Sequence, residues 1–210
     1  MPGTILFGID LESGPDDTLA FVEHGGNLFK EFDVPTTWYV TGNTLERHPD
    51  VFRKIDGENL VDLQAHTYHH LLLKTVFMQP PPGVTVHGSS GWQVVKCSSV
   101  QEIDEDLTRC QQAFQDTLGR RPIGLTTPWA YYRGLGDRLD LLEIVHKHGF
   151  RALRSFGRDE RDCQPVPLEW QPFFYEPQGF GDVLECFIHD YQDDFYWQAF
   201  APPDEDDTYA

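Results

Sequence analysis

The chain has 210 residues, enough for one domain or at most two small ones, and enough to bury a core without disulfide staples. Its formal net charge of −18 excludes a nucleic-acid partner, which needs clustered Lys and Arg, and an anionic membrane surface. No apolar run approaches the roughly 18 residues of a membrane span, so no membrane insertion is expected. Met1-Pro2-Gly3-Thr4 lacks a basic region, and the apolar stretch after it is too short for a signal peptide. Cys97, Cys110, Cys163 and Cys186 are scattered, with no CxxC pair. They read as reduced thiols in a cytoplasmic protein, without a thiolate zinc site. Only five of the 16 basic residues are lysines. Two readings of that bias stay open, an ordinary solvated acidic surface and adaptation to a high-salt cytoplasm.

In chain order, residues 4–9 read as a buried strand ending at Asp10. A helix follows, capped by Asp16 or Asp17 and running through Leu19, Val22 and Phe29, with Gly25-Gly26 weakening its middle. Residues 36–40, rich in β-branched and aromatic side chains, form a second strand. Residues 44–55 read as a short helix, and residues 60–65 as a strand that stops at His66. The proline-rich run from Gln79, continuing past His87, is a loop. Ser99 then caps a clear helix with Glu102 at the capping-box position, and Ile103, Leu107, Cys110, Phe114 and Leu118 recur at helical spacing up to Gly119. Residues 123–126 give a strand, 139–148 a helix, 150–156 a strand and 183–189 the last strand. A single domain over residues 1–201 is expected, with a disordered acidic tail over 202–210.

Strands that alternate with helices predict an α/β domain. The loops that follow strand C-termini converge on one face in such folds, so Asp10, Glu12, His66, His70 and His189 should share a rim. His66 and His70 are four residues apart, so a helical turn just after the strand would point both imidazoles to one side; with a carboxylate they could hold a zinc ion with open positions. The same pair is also common on surfaces. Asp10 and Glu12 follow a buried strand directly, where two carboxylates are costly unless paired or bound to a cation. The bland alternative is a strand terminator and a turn cap.

Taken together, these pieces resemble the NodB-homology polysaccharide deacetylases, carbohydrate esterase family 4, over about residues 4–195. Phe7-Gly8-Ile9-Asp10-Leu11-Glu12 resembles the family's acidic first motif. The non-catalytic stretch Thr36-Thr37-Trp38-Tyr39-Val40-Thr41-Gly42 is similar to the family's T-F-F-V-x-G strand. His66, Thr67 and His70 match the H-[ST]-x-x-H motif. Thr126-Thr127-Pro128-Trp129 matches the third motif in part, and Phe187-Ile188-His189-Asp190 looks like the last. The resemblance implies a distorted (β/α) barrel, with a shortened C-terminal part. It implies Glu12, His66 and His70 as ligands of a divalent metal, zinc as first choice with cobalt or manganese suited to the same donors. It implies Asp10 as catalytic base, His189 as general acid and the Trp129 N–H in the oxyanion hole.

The activity implied is removal of an N-acyl group, acetyl by preference, from an amino sugar or glycan. A small cyclic amide, as in the allantoinase-like branch, and a non-catalytic member that binds metal or glycan are the alternatives. The oligomeric state stays open. Two family features are displaced. The third-motif arginine is Thr126 here, leaving Arg133 as a substitute or as a surface residue. The aspartate that orients the acid histidine is Asp159 or Asp162, or neither if that loop is merely solvated. His69 is expected at the surface or packed beside the site.

Overall fold

The expected alternation is realised in a computed structural model that describes residues 5–12, 15–56, 58, 60–80, 82–83, 89–162 and 166–189. In chain order come β1 (Phe7–Leu11), α1 (Pro15–Glu31), β2 (Thr36–Val40), α2 (Gly42–Arg47), α3 (Pro49–Asp56) and β3 (Val61–Ala65). A hairpin of β4 (Val76–Met78) and β5 (Gln93–Val95) precedes α4 (Val100–Leu118) and β6 (Gly124–Tyr132). The chain continues through α5 (Leu139–Lys147), β7 (Ala152–Arg158), β8 (Phe173–Tyr175) and β9 (Phe180–Glu185). His87, Cys163, Asp190 and the 202–210 tail lie outside the described residues.

Among the described residues, seven strands make one sheet in the order β1-β2-β3-β6-β7-β9-β8, parallel except for β8 at the far edge. From β1 through β3, β6, β7 and β9 the order steps one way, and only the antiparallel edge strand β8 folds back. Right-handed crossovers that always step the same way put every helix on one face, as in a (β/α) barrel; a doubly wound sheet reverses and covers both faces. The architecture is therefore an α/β fold of the distorted-barrel class.

Register tells which residues share each face. Ile9, Trp38 and Leu63 are cross-strand partners, as are Leu11, Val40 and Ala65, and Leu125 pairs with Leu153. That face meets the helices: Trp38 is fully buried, with the Phe21 ring of α1 edge-on at 5.4 Å. Helix α1 runs unbroken through Gly25-Gly26. The opposite face carries Gly8 and Asp10, Thr37 and Tyr39, Asp62 and Gln64, Gly124 and Thr126, Ala152 and Arg154. Apart from its two glycines and Ala152, the side chains on this face are polar.

Some expectations need correction. The first strand is not buried: Ile5, Leu6 and Phe7 are exposed, because β1 is an edge strand that pairs only with β2 among the described residues. The 44–55 helix is two helices, since Pro49 has no N–H to continue α2 and instead starts α3. The β4–β5 hairpin and β8, each of three-residue strands, are additions too short for periodicity to reveal. The last strand ends at Glu185, and His189 makes only an isolated bridge to Val166. The Ser99 capping box and the left-handed Gly119 that closes α4 are as expected.

Glu185 ties the C-terminal strands together. Its buried carboxyl accepts from the Ser155 and Phe156 N–H groups (2.6 and 2.9 Å), the Ser155 hydroxyl (2.7 Å) and the Tyr175 hydroxyl (2.6 Å). Burial pushes its pKa up, opposed by those four donors. Glu185→Ala strands two main-chain donors in the core and should cost on the order of 3 kcal/mol. Urea unfolding should show a lower midpoint at an unchanged slope.

Candidate active site

The segment that follows β3 is held from two sides before it presents any chemistry. Gly42 and Asn43, at the start of α2, donate their N–H groups to the Thr67 and Tyr68 carbonyls (2.9 and 3.2 Å). From α4, the buried Asp106 carboxylate accepts from the Tyr68 N–H (2.7 Å), the His69 N–H (3.0 Å) and His69 Nδ1 (2.9 Å). The helical turn expected after the strand is not formed: residues 66–70 are a loop in which Thr67 and His70 both have positive φ, 58° and 61°. Non-glycine residues persist there only when the surroundings over-determine them, and these contacts supply that restraint. A side chain at Gly42 would place its Cβ 2.4 Å from the Tyr68 ring, so glycine is needed for the close approach.

So held, the loop brings His66 and His70 to Glu12, one residue past β1. Both imidazole Nε2 atoms reach the same carboxylate oxygen, Glu12 Oε2, at 2.5 and 2.6 Å. One donor atom from each of the three lies within 4.8 Å of the others. His66 is buried, whereas the Glu12 and His70 side chains keep 38% and 33% of their surface open. The Nδ1 of His66 faces the Thr126 carbonyl at 3.2 Å. A carbonyl can only accept, so Nδ1 carries a proton; in neutral His66 that leaves Nε2 unprotonated, the tautomer a metal ligand requires. Two imidazoles and a carboxylate at the open end of parallel strands fit a divalent cation by donor type and by this second hydrogen bond.

Asp10 stands two residues before Glu12. Both its oxygens accept from Arg154 Nη1 of β7, at 2.7 and 2.9 Å. The same nitrogen reaches Thr126 Oγ1 at 3.0 Å, and that hydroxyl donates to the Arg154 carbonyl. Trp129 lies in an irregular stretch of β6, where pairing with β7 lapses between Thr126 and Tyr131. Trp129 and Ala130 both have positive φ, and Arg158 Nε holds their carbonyls at 2.6 and 3.1 Å. The ring of His189 contacts the Trp170 carbonyl through Nε2 at 2.7 Å.

The alternatives that the sequence leaves open resolve here. Arg133 sits in the turn after β6 with its guanidinium over the Tyr132 ring, 5.1 Å from its centroid; the arginine on Asp10 is Arg154. Asp162 accepts from the Phe77 and Tyr132 N–H groups and Asp159 from Arg161, while the His189 ring meets the Trp170 main-chain carbonyl. His69 packs beside the site on Asp106. Arg154 and Asp106 were missed although each left a signal. Arg154 is a cation inside a strand, directly after the buried Leu153. Asp106 is a charge three residues from Ile103 and four from Cys110, on the buried stripe of α4.

The sequence model of the polysaccharide deacetylase family matches residues 11–153, and the chain belongs to that family. A peptidoglycan deacetylase of Helicobacter pylori is 21% identical over 133 residues, 63% of this chain and 36% of the relative. Among solved structures, a Mycobacterium smegmatis chain assigned to the polysaccharide deacetylases superposes with a TM-score of 0.56 at 18% identity, over 87% of this chain and 57% of that one. The Puue allantoinase gives 0.52 at 17% identity, over 87% and 49%. This chain thus spans about a third of the curated relative and about half of these two structures. The structural likenesses establish the fold, which a deacetylase-type protein and an allantoinase share.

The charges of the cluster make its stability pH-dependent. Burial opposes charge on both partners. For Glu12 it is outweighed by the hydrogen bonds from His66 and His70, which hold the carboxyl far below its usual 4.5. For His66 it is outweighed by the Glu12 hydrogen bond and the charges of Asp10 and Glu12, which raise the imidazole above its usual 6.5. Stability from Glu12 is present above 4.5 and lost as pH falls through its lowered value. Stability from His66 is present below 6.5 and lost as pH rises through its raised value. The chelated, metal-free protein should therefore gain most from this pair between pH 4.5 and 6.5. Added zinc needs His66 unprotonated, so its stabilisation should grow as pH rises above that window. Melting temperatures from pH 4 to 9 with and without zinc, compared with His66→Gln, measure both trends.

Proposed function

We propose that this protein is a metal-dependent N-deacetylase acting on an acetylated amino sugar or glycan. The observation that supports the reading best is the convergence of Glu12, His66 and His70 on one point, with Asp10 two residues away, in a chain of this family. Glu12, His66 and His70 would hold a divalent cation, zinc by first preference from the nitrogen–oxygen donor set, with cobalt or manganese suited to it as well. Bound there, the cation supplies Lewis acidity, lowering the pKa of water and polarising the acyl oxygen.

The remaining work falls to side chains and backbone. Asp10 takes the proton of the attacking water as the new C–O bond forms. The Trp129 N–H donates to the oxyanion, and the left-handed turn at Trp129–Ala130, held by Arg158, takes that stretch out of the regular ladder. His189 delivers a proton to the leaving nitrogen as the C–N bond breaks, giving acetate and the free amine. The same arrangement would serve a small cyclic amide, so the glycan preference rests on family membership alone.

The test pairs metal content with turnover. Plasma mass spectrometry of wild type and His66→Ala should find about one zinc, cobalt or manganese per chain, lost in the variant. Acetate release from penta-N-acetylchitopentaose should be lost in His66→Ala and fall at least about 100-fold in Asp10→Asn, which keeps its metal. A wild type that takes up no metal on dialysis against zinc sinks the proposal. So does a metal-loaded wild type that releases no acetate.

A further inference from the structure

The position at which the related motif carries an arginine is Thr126, on β6. Thr126 and Arg154 are register partners on adjacent parallel strands, so their side chains leave the same face side by side. The guanidinium of Arg154 crosses the polar inner face to Asp10, with Nη1 within 2.9 Å of both carboxylate oxygens. Its path is prepared at three places. Gly8 leaves room, since a Cβ there would lie 3.2 Å from Arg154 Nε. The Tyr39 ring lies beneath the cation, 5.4 Å from Cζ to centroid. Thr126 Oγ1 accepts from the same Nη1 and in turn donates to the Arg154 carbonyl, fixing strand and side chain together.

We propose that Arg154 is the positioning residue for Asp10, a role taken over by β7 from the neighbouring position on β6. This rests on the reading of Asp10 as the base. An arginine holding both oxygens of the carboxylate sets its orientation without touching substrate, so its removal lowers turnover while leaving the metal donors and substrate affinity in place. The register also says what cures the loss. An arginine at 126 starts one strand away on the same face, and a threonine at 154 vacates the space it needs.

Three measurements decide the matter. In wild-type protein, the guanidinium nitrogen resonances of Arg154, assigned by their loss in Arg154→Met, should show slowed rotation that is lost in Asp10→Asn. Arg154→Met should lower kcat on penta-N-acetylchitopentaose at least about 100-fold, with KM changed by less than about threefold and metal content unchanged. The double variant Thr126→Arg, Arg154→Thr should recover kcat to within about tenfold of wild type, where Arg154→Thr alone does not.

A resonance indifferent to Asp10→Asn overturns the pairing itself. A folded, metal-bound Arg154→Met with wild-type kcat overturns the positioning role. If Arg154→Met does not fold, a folded, metal-bound double variant without activity overturns it instead. A coupled resonance in a wild type that hydrolyses no acetamide overturns the hydrolase reading on which the role depends, and leaves the ion pair as architecture.

Discussion

The ion pair of Asp10 and Arg154 joins strands that stand four apart in sheet order. In a flat sheet they would be separated by about 19 Å, four spacings of the ladder, far beyond the reach of an arginine. The contact therefore requires the sheet to curl until β1 and β7 face each other across its inner surface. Sequential winding explains how. With the strands added in one direction and the helices on one face, right-handed strand twist accumulates into a trough. The trough is lined by Tyr39, Asp62, Gln64, Thr126 and Arg154 rather than by packed aliphatics. A polar trough needs its hydrogen bonds met. Gln64 donates to Asp62 and accepts from the Ile123 and Gly124 N–H groups, while Arg154 links Asp10 to Thr126.

The second constraint is the loop at 66–70, where Thr67 and His70 are both left-handed. Each such residue costs of order 1 kcal/mol or more, and the loop keeps them only because α2 and α4 satisfy its main chain from opposite sides. The buried acceptor on α4 is thereby coupled to the direction of His66 and His70, although Asp106 lies outside the triad that could hold a metal. The Thr126 carbonyl then sets the His66 tautomer. One residue of β6 so serves both halves of the site, its carbonyl on a histidine and its hydroxyl on the arginine that holds Asp10.

The sequence made the strand–helix alternation, the α4 capping box and the metal-ligand candidates legible because each rests on local rules: periodicity, a four-residue motif, a four-residue histidine spacing. It misjudged β1 because an apolar run says that a strand exists, not that a neighbour covers it. The 44–55 helix failed at Pro49 because an amphipathic pattern carried across a break that the proline itself announced. The pairing of Arg154 with Asp10 was beyond reach for a different reason. The two residues are 144 positions apart, and the pairing exists only once the sheet has rolled. No local rule contains that information, whereas Thr126, in the expected motif, sat in plain view without the expected side chain.

That displacement bears on how the family's sites should be read. A motif lists side chains along one strand, but a carboxylate at the mouth of a barrel experiences only what reaches it across the inner face. Two adjacent parallel strands in register offer equivalent starting points for such a reach, so an arginine at 126 and one at 154 are near substitutes in space while unrelated in sequence. The cost of exchange is local. The strand that gives up the arginine needs a small polar residue that can still pair with the newcomer, which Thr126 does twice, and the first strand needs a residue without a side chain where the longer path passes, which Gly8 supplies. A missing motif residue is therefore not yet a missing function. The absence has weight only after the neighbouring strand has been inspected at the paired position.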